Sequence, residues 1–212
     1  MMSTLTLATI RAAVRSDLNE PSTTILSDTE LTAITNDGVK DVAVKGLCFE
    51  NKIAFDNIAT TQKIVPLLQA TNHIIRVNFV EYKTGTTEGG TGMLSIIPQA
   101  SGHTALNAGG SSGAPQYWFQ WGDYLVIDPI TDAATYDLAV YASCYPASVM
   151  SADGDTPASI PVEFHEDVYF FTLAFAALNL KRWGDAGNAY NRYIMSVQRK
   201  RNEYTTKYPE GR

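Results

Sequence analysis

Cysteine and histidine are scarce: two Cys, at 48 and 144, and three His, at 73, 103 and 165, in 212 residues. That excludes a disulfide-dense scaffold. A bridge between Cys48 and Cys144 stays open, but isolated thiols read more simply as small buried side chains. The histidines stand far apart with no partners at ligand spacing, so no metal centre is expected from them. Long apolar runs are missing too. The fullest, Val168 to Leu178, has 11 residues, against the roughly 20 needed to span a membrane, so no membrane partner is expected. The N-terminal MMSTLTLATIRAAVRSDLNE lacks an uninterrupted apolar core before a small-residue cleavage site, which reads against a secretory signal and for folding in a cytoplasm.

Catalytic motifs are absent in substance. Gly109, Ser111 and Gly113 satisfy G-x-S-x-G in form, but a nucleophile elbow needs a strand before the serine and a helix after it, and Pro115 follows here. Gly85 and Gly90 are spaced like a phosphate loop, yet Thr91 and Gly92 stand where lysine and a hydroxyl residue belong. His165–Glu166 opens like a zinc-protease helix, and Tyr169 occupies the place of the second histidine. Asp153 and Asp155 lack the later oxygen ligands of a calcium loop, so they read as a turn. No catalytic, metal or cofactor-binding residue is assigned, no cofactor is expected, and the chain reads as a non-enzyme.

What is present is patterning. Ile160 to Asp185 reads as one long core helix, with Pro161 at its start, Glu163, Glu166 and Asp167 in its first turns, and Lys181 and Arg182 closing it. Phe164, Val168, Phe171, Phe175 and Leu178 form one apolar stripe; Tyr169, Leu173, Ala176 and Leu180 form a second beside it. Gly184 is expected to break the helix and Asp185 to cap a following one carrying Ala186, Tyr190, Tyr193, Val197 and Tyr204. Near the N-terminus, Leu7, Ile10, Val14 and Leu18 predict a helix over residues 4 to 18, opened by Ser3 or Thr4 and stopped by Pro21. Ser27 and Glu30 form a capping box, with Leu26 as staple, for a helix through Leu31, Ile34, Gly38 and Val42 to about Gly46.

Between these the period changes to two. Lys52–Thr60, Lys63–Leu67, His73–Thr84, Gln116–Trp121, Asp123–Asp128 and Thr135–Tyr145 read as strands, with alternation in Ile75, Val77, Phe79 and in Asp137, Ala139, Tyr141. Gly122 suits a tight turn, as do Pro129 and Thr131 to Ala133. The stretches 84–92 and 100–113 read as surface loops, and Pro146–Ser159 as the connector back to helix. The fold class is α+β: a helical bundle from the N-terminal (1–50) and C-terminal (151–212) segments, with an antiparallel β domain (51–150) inserted. Tyr117, Trp118, Phe119, Trp121 and Tyr124 invite a sugar or base-stacking reading, but strand alternation favours a core face plus a packed outer face.

The charge of −6 hides an asymmetry, since from Lys181 onward eight Lys or Arg face three acids, leaving +5 there and −11 in the remainder. Arg199, Lys200 and Arg201 can meet nucleic acid, meet an acidic protein surface, or solvate a helix end.

LNEP at 18–21 with LSDTEL after it, YWFQWGDYLVIDP at 117–129, YDLAVYASCYPA at 136–147, and IPVEFHEDVYFFTLAFAAL from 160 with WGDAGNAYNRY following occur in an order that resembles the bacteriophage head-to-tail adaptor (connector) family. The resemblance spans nearly the whole chain. It implies a structural virion protein of the head–tail neck, assembled in the host cytoplasm as a ring of about twelve copies with cyclic symmetry. The implied partners are the portal protein, tail or nozzle proteins, further copies of the chain, and genomic DNA passing the channel without sequence-specific binding. It also implies a portal-docking arm at the C-terminus, here Arg199, Lys200, Arg201, Tyr204 and Tyr208. Cutting after Gln198 is then expected to leave a folded protein that no longer joins the portal. Another neck or tail-completion protein, or a ligand-binding module using the aromatic β face, is the alternative.

Overall fold

The computed structural model describes residues 5–21, 23, 25–59, 63–68, 73–84, 92–93, 95–96, 115–128, 135–146 and 149–207. They form two compact units, one running to Phe49 and resuming at Tyr145, the other running from Glu50 to Cys144.

The helical unit contains α1 (Leu7–Asp17), α2 (Asp28–Gly46), a 3-10 turn (Val162–Phe164), α3 (His165–Asn179) and α4 (Trp183–Lys207). Helix α3 packs against the other three helices. Its Val168, Phe171, Thr172, Ala174, Ala176 and Ala177 are all buried, which is why its sequence is apolar nearly all round. Gly38 lets α2 come close: a Cβ there would stand 2.9 Å from Phe171 Cδ1, a distance no ordinary side chain tolerates. Phe175, expected in the stripe, is instead 36% exposed, one turn before the α3–α4 connection, with its ring against those of Phe171 and Tyr190.

The helix ends depart from the sequence expectation in an instructive way. Helix α1 starts at Leu7 with Thr6 as its cap, in a reciprocal box with Thr9, rather than at Ser3 or Thr4. Its first two amides are taken by the connector: Leu7 N–H donates to Asp155 O at 2.8 Å and Ala8 N–H to Asp153 O at 3.1 Å. Asp155 in turn accepts from the Ser151 and Ala152 amides, which holds its carboxyl below the usual range and identifies the Asp-Gly-Asp segment as a turn. The box at Ser27 and Glu30 forms as expected, and Leu26 and Leu31 are buried in one cluster.

Glycine does not end these helices. Asn19, Leu47 and Lys181 have left-handed φ of 49°, 49° and 59°. After α3, Arg182 N–H donates to Ala177 O and Lys181 N–H to Leu178 O, the paired bonds of a Schellman motif. After α1, Glu20 and Asn19 repeat it onto Arg15 and Ser16. The single helix expected over Ile160–Asp185 is thus interrupted at Leu180–Arg182, before Gly184, and Gly184 and Asp185 lie inside the first turn of α4.

Among the described residues the β unit holds two four-stranded sheets. One has the order β1 (Glu50–Ala59), β8 (Thr135–Cys144), β3 (Ile74–Thr84), β4 (Gly92–Met93), all antiparallel. The other runs β2 (Ile64–Pro66), β7 (Tyr124–Asp128), β6 (Tyr117–Trp121), β5 (Ser95–Ile96). Its β5–β6 pair is parallel and the rest antiparallel.

Every second residue of β8 from Tyr136 to Ala142 is buried, with Ile53 and Val80 flanking Val140 in register. The alternation expected in β3 does not hold. A register shift between Val77 and Phe79 puts Val77 and Val80 in the core and Phe79 on the other face, stacked on Tyr141 at 4.0 Å. Such a bulge adds one residue and reverses the facing; Val77 N–H is received by Gln120 Oε1 at 2.8 Å. Gly122, at φ 56°, opens the two-residue turn between paired Trp121 and Tyr124, a position that suits glycine. The loops at 85–91 and 100–113 and the turns at 129 and 131–133 lie outside the described residues.

Candidate docking surfaces

Three surfaces carry the exposed chemistry. The first is the far end of α4. Arg199 and Arg201 are exposed, and Arg199 approaches Glu203 at 4.0 Å with both side chains mostly in solvent. Lys200 is different: it is 7% exposed and its Nζ lies 2.8 Å from Asp167 Oδ2 on α3. The same Nζ stands 5.8 Å from the centre of the Phe164 ring. Lys200 is therefore an internal anchor for α4 rather than a group offered outward, and a cut after Gln198 would strand Asp167. Asp167 is fully buried, and that burial raises its carboxyl above the ordinary range, Lys200 opposing the shift. The geometry leaves Asp167 Oδ1 without a partner. Tyr204 lies on α4; Tyr208 lies outside the described residues.

A second surface is one side of the sheet β2–β7–β6–β5. Paired residues of antiparallel strands share a face, so Trp121 and Tyr124, Phe119 and Val126, and Ile64 opposite Val126 all lie together. Phe119 and Val126 form a small buried floor. Around it Trp121 (56%), Tyr124 (52%), Ile64 and Tyr117 are exposed. Trp118, one residue from Tyr117, points the other way and is buried with Leu125 and Ile127. The expected packed outer face is thus packed only at its floor.

The third surface is a groove between α1 and the start of α3. Leu5, Ile10, Ala13 and Val162 line it with Glu163 and Glu166. His165 also lines it, buried, with Nε2 3.3 Å from Ile160 O and Nδ1 unpartnered. Burial holds the His165 ring below its usual pKa. Tyr169 closes the groove and donates to Asp17.

None of these surfaces assembles catalytic chemistry. His73 is exposed, His165 is held by the backbone, and His103 and Ser111 lie outside the described residues. Among the described residues there is no group of three or more His, Cys, Asp or Glu able to hold a metal. Cys48 and Cys144 are buried and not joined in a disulfide, and burial raises the Cys144 thiol to about 11, far from a reactive thiolate. Among the described residues no helix is long and apolar enough to cross a membrane.

No curated protein matches the chain. A family model described as SU10 adaptor protein matches residues 5–209, which takes in both units and every surface above. Helical ends around a β insertion agree with this match, and the chain belongs to this family of phage head-to-tail adaptors.

Proposed function

We propose that the chain is one subunit of a ring of about twelve copies seated between portal and tail, with DNA crossing its lumen. The observation that carries this reading is the family match over residues 5–209. The acidic balance of the chain before Lys181 supports it, because a lumen poor in free cations does not hold passing phosphates.

The docking arm begins beyond Lys200. The Lys200–Asp167 pair fixes where α4 leaves the core, and Arg201, Tyr204 and Tyr208, beyond it in sequence, form the proposed portal-facing set. If the arm orders fully only against the portal, that ordering cost is met only in the complex, and assembly is sequential. A chain ending at Asn202 keeps the anchor and loses the rest of the arm. It is expected to stay folded, by circular dichroism, and to lose binding to the portal ring of the same phage. Retained binding would remove the arm from the account.

A second reading draws on the exposed Trp121 and Tyr124, a surface suited to stacking on a sugar or a flat peptide group. Glycan binding lost in Trp121→Ala would favour it. Trp118→Ala is not a clean probe, since Trp118 is in the core.

A further inference from the structure

The groove between α1 and α3 and the outer face of α4 complement each other. The groove has a volume of about 340 Å³ and a mainly apolar lining, with the exposed carboxylates of Glu163 and Glu166 beside it. Neither carboxylate has an ion-pair partner among the described residues. On α4 the core is met by Ala186, Ala189, Tyr193, Val197 and Lys200. Met195 falls on the opposite side and is 72% exposed. An unbranched thioether so placed is a flexible apolar knob without a hole. One turn on, at i+4 and hence on the same helix face, stands Arg199, its side chain 70% exposed.

We propose that these surfaces are the two sides of one contact between copies: Met195 of one copy seats in the α1–α3 groove of the next, and Arg199 meets Glu163 or Glu166 there. The proposal rests on the ring reading and gives it a residue-level interface. Because knob and hole are different patches of the same chain, the contact is head-to-tail, the kind that closes into a ring or runs on as a filament. Charge selects the occupant. The groove offers two unpaired acids, and the α4 face pairs an apolar side chain with a cation at a spacing that can span them. The same complementarity disfavours two grooves, or two α4 faces, meeting each other.

The test is a cysteine pair, Val162→Cys with Met195→Cys, in the full chain. The native cysteines are buried and serve as background. The protein is sedimented alone and with the portal ring, then oxidised and run on a denaturing gel. A ladder of covalent multimers in the double variant, absent from each single variant, is expected. Glu166→Lys should weaken assembly, about tenfold or more with Glu163→Lys added, and Arg199→Glu in the same chain should restore it. Sedimenting oligomers that give no ladder would overturn this contact and leave the ring standing. So would a ladder in either single variant, or Val162→Cys linking only to a portal subunit. Absence of any oligomer, alone or on the portal, would overturn ring and contact together.

Discussion

Both units leave large apolar groups outside, Met195 and Trp183 on α4 among them; the helical unit ties many of its polar groups to named partners, whereas the β unit gathers Trp121, Tyr124, Tyr117 and Ile64 on one face of a sheet. The amides that open α1 are answered by a cap and by the connector. Tyr193 donates to Asp41, burial first and then that bond pushing its hydroxyl far above the ordinary range. Asn36 clamps the Met150 amide and carbonyl at 2.8 and 2.9 Å. The β unit has a core along β8, yet Trp121, Tyr124, Tyr117 and Ile64 face solvent. The difference teaches where to look for partners: at a groove flanked by carboxylates in the helical unit and at exposed aromatic area in the β unit.

The largest predicted effect attacks the helical unit through its buried pair. Lys200→Met leaves Asp167 in the core without its counter-ion, a loss of about 3–5 kcal/mol. Urea unfolding followed by helical circular dichroism measures it. The double change Asp167→Asn with Lys200→Met should recover most of the loss, because no buried charge remains. If the single change proved neutral, the contrast between the units would lose its main support.

In the β unit the sensitive element is apolar. Leu138→Ala, at the centre of the middle strand and 1% exposed, should cost about 2–5 kcal/mol, read from the fluorescence of buried Trp118. A third effect is a pH dependence. Burial disfavours the charged His165 ring, so its folded pKa lies below the usual 6.5. As pH falls through that value the unfolded chain takes up the proton first, and stability is lost on the acid side and regained as pH rises. His165→Gln should flatten this dependence; a steeper slope in the variant would assign it elsewhere. The smallest effect is at the surface. Trp121→Ala should change stability by no more than about 0.5 kcal/mol while weakening whatever partner the β face meets.

Much of this was legible because the signals are local. The box at Ser27 and Glu30, the Gly122 turn and the strand at Thr135–Cys144 each depend on a few neighbouring residues. What escaped was set by tertiary context. Lys181 adopts a left-handed φ without being glycine, so the α3–α4 break moved ahead of Gly184. The β3 bulge moved Phe79 off the core face because an inserted residue leaves no mark in composition. Strands β4 and β5 have two residues each and carry no periodicity to detect. Among the proposed docking residues, Arg199 and Arg201 are exposed as a basic run suggests. Lys200 is not, since only its position 33 residues from Asp167 in sequence, across two packed helices, supplies the acid it needs. A buried lysine inside a basic run is visible by helical phase alone: Tyr193, Val197 and Lys200 share one face.

The central claim is that this adaptor works as a ring against the portal, and sedimentation tests it most directly. The purified protein is run alone and mixed with the portal ring of the same phage. Co-sedimentation at one fixed stoichiometry, with monomer in the absence of portal, is the predicted result. Binding to tail components while ignoring the portal, or binding to neither, would contradict it.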